Sequence, residues 1–340
     1  MILILSENDD LATNDVIEWL TYYEIPYVRI NETTKVKFEN IRISNDETYW
    51  ELNLSELHKD SSIAINSNQI TGFWYRRGYI GVEIDFKQKQ TNNSEKKILP
   101  YLIDHINYNQ KDLIDYVYYC LSKKTSIGKY SDNFISKLKM LTVAVNVGLK
   151  VPDTHIISSK DNLSELKSKY NNIITKGIKS NGFNVGFEVI ASSLTQKIEL
   201  SEFSKISDHF SPSLIQNYIE KEFELRIFYL CKKCYCVAIF SQNDKQTHID
   251  FRNYNEKSPN RIVPYTIPEE LNEKIIRLMK ALELNSGSLD FIYSKKNEYV
   301  FLEVNPVGQF TWISKKCNLQ LDKEIAQYFM KYEKRHRTIS

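Results

Sequence analysis

Two strand-like runs near the C-terminus carry side chains that could do chemistry together. Along Phe301-Leu302-Glu303-Val304-Asn305-Pro306, strand alternation projects Glu303 and Asn305 to one side and leaves Leu302 and Val304 as core anchors on the other. If Ser288-Leu289-Asp290-Phe291-Ile292-Tyr293 pairs with it, Asp290 joins Glu303 and Asn305. Few hard oxygen donors in one place suit Mg2+, which keeps its other positions for water and phosphate. An ordinary hairpin with solvated acids is the alternative that these twelve residues alone leave open.

Groups suited to a phosphate stand upstream. Lys176 closes a strand and is followed by Gly177-Ile-Lys-Ser-Asn-Gly182-Phe-Asn-Val-Gly186, a glycine-bearing loop whose N–H groups could approach an anion. The Gly-Lys-Ser/Thr helix start of a P-loop is missing, and hairpins also use glycine for shape alone. Further on, Leu214-Ile-Gln216-Asn-Tyr218-Ile219 reads as a strand running into a connector that could offer backbone groups to an adenine edge. Glu222 or Glu224 could then accept ribose hydroxyls, and Glu224 shares a strand face with Arg226. Exposed acid–base neighbours of this kind are often merely solvated. Phe73-Trp-Tyr-Arg76-Arg77-Gly78 reads as a strand ending in two arginines, suited either to solvent or to a carboxylate or phosphate held by the guanidinium fork.

These groups need a large scaffold, and 340 residues supply two or three domains. With 45 Lys+Arg against 43 Asp+Glu the net charge is +2, so no global field draws the chain to nucleic acid or anionic membrane, and any anion site is local. No apolar run approaches the roughly 20 residues of a membrane span, and Met1–Leu5 lacks a basic leader, which makes a cytoplasmic protein the expectation. Five unevenly spread cysteines argue against a disulfide framework. Cys231-Lys-Lys-Cys234-Tyr-Cys236 could chelate a soft metal, but it reads better as cysteines flanking a hairpin turn at Lys232-Lys233.

The N-terminus predicts strand, helix, strand: Met1–Ser6, Leu11–Tyr23 with Val16, Leu20 and Tyr23 on one face, and Pro26–Ile30. This start is Rossmann-like without the glycine fingerprint, since Asn8-Asp9-Asp10 occupies that turn. Residues 87–97 are polar and aperiodic and predict an exposed loop, and a helix follows from about Leu113 to Leu121. Ser131-Asp132 is a fitting N-cap for the next helix, where Leu138, Leu141 and Val145 share a face, Lys137 points away and Gly148 ends the run. Val151–Ile157, Asn162–Tyr170 and Asn172–Lys176 then predict strand, helix and strand.

In this order the pieces resemble the ATP-grasp ligases along nearly the whole chain. The resemblance implies an α/β fold with α+β elements: a Rossmann-like pre-ATP-grasp domain over residues 1–129, a central lid subdomain over 130–212, and an antiparallel C-terminal subdomain with the metal site over 213–340. It implies ATP and Mg2+, with Lys137, Lys176, Gly182, Gln216, Tyr218, Ile219, Glu224 and Arg226 toward the nucleotide. Asp290, Glu303 and Asn305 would be the metal ligands, and Arg226 the catalytic residue bridging the transferring phosphoryl group. Gly308-Gln309-Phe310 after Asn305-Pro306, with Trp74-Tyr-Arg76-Arg77, looks most like the graspetide synthetases, the microviridin-type peptide macrocyclases, and among these the grasp-with-SPASM maturases. That resemblance implies a ribosomal precursor peptide with leader and core as partner; the charge and strand-end position of Arg76 and Arg77 make them the expected contacts for its acidic core. The resemblance also implies a homodimer, while the charge balance and the lack of an apolar span argue against nucleic acid and membrane as partners. A core Asp or Glu would be phosphorylated and joined to a Ser/Thr hydroxyl or a Lys amine. A ligase for a free amino acid or a protein tail, or a nucleotide-binding scaffold without turnover, are the alternatives.

Overall fold

The computed structural model describes residues 1–56, 62–82, 93–179, 183–185, 189–191 and 194–339. The chain divides into two compact units, Met1–Asn133 with Gln320–Ser340, and Phe134–Leu319. The segment drawn at 213–340 from the sequence therefore ends, as a compact body, at Leu319.

The first unit runs β1 (Ile2–Leu5), α1 (Leu11–Tyr22), β2 (Tyr27–Ile30), β3 (Thr34–Ile43), β4 (Thr48–Glu56), β5 (Ser62–Asn66), β6 (Gly72–Tyr75), α2 (Asn93–Ser122) and β7 (Thr125–Ile127). Its main sheet has the order β2-β1-β6-β7 with every pair parallel, while β3-β4-β5 is a separate antiparallel meander. All four residues of β1 are buried, as a strand covered on both faces requires. The final helix, Leu321–Ile339, joins this unit through its own contacts. Trp19 Nε1 donates to Asp322 Oδ2 at 2.7 Å and Gln327 Nε2 to Tyr23 Oη at 3.1 Å. Gly72 makes the approach possible, because a Cβ there would lie 2.7 Å from Ile2 Cδ1 and 3.2 Å from Phe329 Cδ1.

Two expectations change in this unit. Residues 87–92 of the expected loop lie outside the described residues, whereas 93–97 already belong to α2, which starts 20 residues before Leu113. Most of α2 before Tyr116 faces solvent, so the apolar period that marks a packed helix appears only in its last turns, around Val117, Tyr118 and Leu121. Ser131-Asp132 caps no α-helix. Asp132 is buried in a 3-10 turn, where its carboxylate accepts the Lys129 N–H at 2.8 Å.

The second unit runs α3 (Lys137–Asn146), β8 (Thr154–Ser159), α4 (Lys160–Tyr170), β9 (Ile173–Lys176), β10 (Phe183–Val185), β11 (Val189–Ala191), β12 (Gln196–Lys197), β13 (His209–Asn217), β14 (Lys221–Leu230), β15 (Lys233–Phe240), β16 (Arg261–Pro264), α5 (Glu269–Ala281), β17 (Ser286–Ser294), β18 (Tyr299–Asn305) and α6 (Thr311–Cys317). A sheet of order β12-β9-β13-β8 and a larger one of order β16-β15-β14-β17-β18 are both antiparallel. In α5 Pro268 precedes Glu269 and Glu270, which complement the helix N-terminus, and Leu271, Ile275, Leu278 and Met279 form its buried stripe. That stripe meets Leu225, Ile227, Leu289, Phe291, Phe301 and Val304 of the large sheet and Met140, Leu141 and Ala144 of α3 in one core. Each such aliphatic side chain contributes about 1.5–3 kcal/mol by leaving water.

Gly148 ends α3 as expected, at φ +80°, with Gly148 N–H bonded to Val145 O and Leu149 N–H to Ala144 O in a Schellman closure. The buried face of α3 is Lys137, Met140, Leu141 and Ala144, whereas Leu138 and Val145 are exposed. Lys137 thus lies on the inward face rather than away from it. The β14–β15 turn is Cys231-Lys232, one residue earlier than expected, because both carry positive φ (+46° and +78°) as a two-residue type I′ hairpin demands.

Candidate active site

The large sheet lines up Arg226, Asp290 and Glu303 side by side on β14, β17 and β18, in direct register. A bulge between Asp290 and Phe291 in this pairing inserts Leu302 as an unpaired residue of β18. Leu302 consequently leaves the core side expected from alternation and lines the same cleft as Glu303, while Val304 stays in the core. A second bulge between Lys221 and Phe223 brings Lys221 to the Glu224 side of β14, although an unbroken strand would oppose residues three apart.

Four cations meet the carboxylates of the row. One guanidinium nitrogen of Arg226 donates to both Asp290 oxygens at 2.7 and 2.8 Å, and the other lies 3.5 Å from Gln309 O. Lys137 Nζ sits 3.0 Å from Glu303 Oε2 and donates to Gly177 O at 3.0 Å. Arg252 clamps Asp250 at 2.9 and 2.6 Å and reaches to 4.0 Å from Glu303 Oε1. Lys176, at the end of β9, lines the same cleft, and burial pulls its pKa down to about 8 against the support of Glu303, with Lys137 and Arg252 adding repulsion. Burial pushes Asp290 up, and Arg226 resists this. At Glu303 burial also opposes ionisation, but Lys137 and Lys176 outweigh it and hold the carboxyl low. Asp250 would likewise rise on burial, and Arg252 instead holds it at about 2.

The neighbouring stretch of the cleft is lined by Pro152, Ile174, Gln216, Asn217, Tyr218 and Ile219. Gln216 Nε2 donates to Thr154 Oγ1 at 2.7 Å, which fixes the amide. Tyr218 N–H is committed to Asn172 O at 2.9 Å, so its backbone offers a nucleobase its carbonyl. Glu224 is buried beside Lys221, which bonds it through Nζ and also donates to Ile249 O at 3.0 Å, whereas Glu222 is exposed. Burial pushes Glu224 up to about 7 despite Lys221.

Among the described residues, Gln216 Oε1, Asn217 Oδ1, Glu224 Oε2 and Arg226 Nε are buried without a hydrogen-bond partner. Each such orphan costs about 1–3 kcal/mol. Three acceptors lining this cleft, with the Arg226 guanidinium behind Asp290, fit the base, sugar and phosphate ends of a nucleotide. No group of three His, Cys, Asp or Glu that could hold a metal occurs among the described residues. Two carboxylates in register with an amide two residues on is nevertheless the sparse oxygen set that suits Mg2+. Asn305 stands at the end of β18, where its Oδ1 lies 3.3 Å from Gly308 N.

Gly182 lies outside the described residues. Arg76 is buried against Asp10 at 2.9 Å, and Arg77 is half-exposed beside Glu7 at 3.2 Å, both within the first unit. The sequence reading missed Lys221, Asp250 and Arg252. Asp250-Phe-Arg252 has the same acid-x-Arg spacing as Glu224-Leu-Arg226, and that spacing was the available signal.

A family model described as RimK-like ATP-grasp domain matches residues 135–329. No curated protein matches. Among solved structures, the chain is similar to a Chryseobacterium gregarium RiPP-associated ATP-grasp ligase in complex with ADP and a leader and core peptide, at 22% identity and TM-score 0.75 over 96% of this chain and 94% of that one. It is also similar to the macrocyclase MdnC bound with precursor peptide MdnA from Microcystis aeruginosa, at 19% identity and TM-score 0.71 over 96% and 98% of the two chains. A third is the ATP-grasp ligase PsnB complexed with a phosphomimetic variant of its minimal precursor, Mg and ADP, at 14% identity and TM-score 0.66 over 98% of each.

Proposed function

Since the chain belongs to the RimK-like ATP-grasp family, we propose that it is an ATP-dependent ligase that activates side-chain carboxylates of a ribosomal precursor peptide and couples them to hydroxyls or amines of the same peptide. The observation that carries this reading is the transverse row Arg226, Asp290 and Glu303 with Lys137, Lys176 and Arg252 gathered on it. A peptide carboxylate approaching a phosphate meets repulsion of about 4 kcal/mol per charge pair at 4 Å and an effective dielectric of 20. A cluster richer in cations than in carboxylates offsets it.

Lys137 and Lys176 hold the proximal phosphates, and Glu224, kept in place by Lys221, accepts the ribose hydroxyls. Gln216, Tyr218 and Ile219 read the adenine. Asp290, Glu303 and Asn305 would hold Mg2+, which supplies charge neutralisation at the phosphoryl oxygens. Arg226 steers the γ-phosphoryl group onto the peptide carboxylate, giving an acyl phosphate and ADP. A Ser/Thr hydroxyl or Lys amine then attacks the carbonyl, the C–O bond to phosphate breaks, and the nucleophile's proton is lost. Each link thus removes one water from the peptide. Half-exposed Arg77 is the contact for the acidic core, and Arg76, buried against Asp10, supports the strand end that presents it. A second copy of the chain is the remaining partner, and a cytoplasmic setting suits the ATP supply. Among the described residues no helix is long and apolar enough to cross a membrane.

The half-buried Lys176 sets a pH dependence. Its protonated form binds phosphate, and its pKa of about 8 without ligand means that the charge is present below that value and lost above it. Calorimetric ADP–Mg2+ affinity is expected to be level near pH 7 and to fall by up to about tenfold per pH unit above 8. Lys176→Met is expected to bind more weakly with a flat profile over the same range. A flat profile in the unsubstituted enzyme would contradict this role. For the reaction itself, incubating the enzyme with ATP, Mg2+ and a short precursor-like peptide with a leader and clustered Ser/Thr and Asp/Glu residues is expected to give products short of one or more waters by mass spectrometry. Loss of ATP without any such product would reject peptide ligation.

A further inference from the structure

A pocket of about 300 Å3 in the second unit lies outside the nucleotide contacts described above. Ile239, Phe251, Tyr254, Ile262, Trp312 and Lys316 line it, and its surface is almost wholly apolar. Phe251 and Arg252 belong both to its wall and to the wall of the nucleotide cleft, so the two spaces are one side chain apart. Through that shared wall the pocket sits beside the reacting end, since the Arg252 guanidinium ends 4.0 Å from Glu303.

The pocket is built rather than incidental. The segment between β15 and β16 folds on its own polar groups: buried Thr247 donates to Ser241 O and bonds Asn260 Oδ1, each at 3.0 Å, and Gln246 Nε2 donates to Tyr254 O at 2.9 Å. Asn255 Nδ2 donates to Asp244 Oδ2 at 2.6 Å. These bonds hold Phe251 and Tyr254 opposite α6, whose residues 312 and 316 share a helix face. Trp312 meets Phe251 at 6.1 Å between ring centres, and Lys316 Nζ lies 5.3 Å from the Tyr254 ring centre.

We propose that this pocket is a specificity subsite that takes an aromatic or branched aliphatic side chain of the substrate peptide, adjacent or next but one to the carboxylate being activated. The proposal rests on the peptide-ligase reading above. Two cations at an apolar hollow, Arg252 and exposed Lys316, suit a segment that alternates apolar and acidic residues. A next-but-one side chain on an extended peptide lies roughly 7 Å along the same face. The occupant's apolar surface leaves water on rings already held in place, which favours binding without new ordering cost.

The test uses pooled synthetic peptides, each with one Glu flanked at the two positions on either side by a varied residue. They are incubated with enzyme, ATP, Mg2+ and hydroxylamine, and peptide hydroxamate is read by mass spectrometry. Phe, Trp, Leu and Ile flanks are expected to exceed Gly by about tenfold or more. Trp312→Ala and, at the exposed position, Tyr254→Ser are each expected to shrink that ratio to about threefold or less, with ADP–Mg2+ affinity as the control for folding. Hydroxamate formed without flank preference, or a preference that survives both substitutions, overturns the subsite and leaves the peptide-ligase reading standing. Hydroxamate on free glutamate but on no peptide overturns that reading and this occupant with it.

Discussion

Glu303→Gln is expected to fold normally and to lose more than about 100-fold in ATP-dependent ligation. The substitution keeps the volume of a side chain that sits 3.0 Å from Lys137 and 4.0 Å from Arg252, and removes only its charge. Two effects follow from that single change. A proposed magnesium ligand becomes a neutral amide, so the metal is lost or displaced. The carboxylate that supports the charge on Lys176 also disappears, and the fall of nucleotide affinity with rising pH should begin at lower pH than in the unsubstituted enzyme. Single-turnover measurements at saturating Mg2+ read the first effect and calorimetry across pH reads the second. Near-parental turnover would remove Glu303 from the metal site.

Arg226→Lys should lose at least about 100-fold in cross-linking while nucleotide affinity changes only a few-fold, since lysine keeps the charge but not the planar fork. Arg226→Ala should abolish cross-linking and also weaken the fold. Asp290 is mostly covered, and its two oxygens are held by the one guanidinium at 2.7 and 2.8 Å, so truncation leaves that carboxylate without its partner and lowers stability. The lysine variant separates the two consequences, because it fails in chemistry with most of its stability intact. Thermal unfolding and product formation measured on both variants check this. Unchanged cross-linking in Arg226→Lys would mean that positive charge alone suffices there.

The parts of the site that lie on regular strands were legible in the sequence. Alternation put Glu303 and Asn305 on one face and brought Asp290 to them if the two strands pair; the structure supplies the register, Asp290 directly beside Glu303 and Arg226 beside Asp290. Where the backbone departs from regularity, the sequence pattern misled. A bulge turns Leu302 from core anchor to cleft wall, and another brings Lys221 beside Glu224. Both sit next to the cleft, and an alternation rule has no means of registering an extra residue. Asp250 and Arg252 were overlooked because they stand in an irregular segment whose order comes from side-chain hydrogen bonds rather than from a period. The face expected from Leu138, Leu141 and Val145 left Lys137 off the packed side, yet Lys137 lies on the buried face, where Gly177 O and Glu303 satisfy its ammonium. The long α2 was shortened for the converse reason: its exposed length carries Tyr101 and Tyr108 on solvent, and Pro100 lies within it.

Activation of a carboxylate by phosphoryl transfer is the centre of the proposed chemistry, and oxygen isotope transfer tests it most directly. The peptide's Asp and Glu side chains are labelled with oxygen-18, and the phosphate released during ligation is analysed by mass spectrometry. One labelled oxygen in each phosphate, in step with each water lost from the peptide, is the predicted result. Unlabelled phosphate accompanying linked peptide, or phosphate released with no link formed, would contradict it.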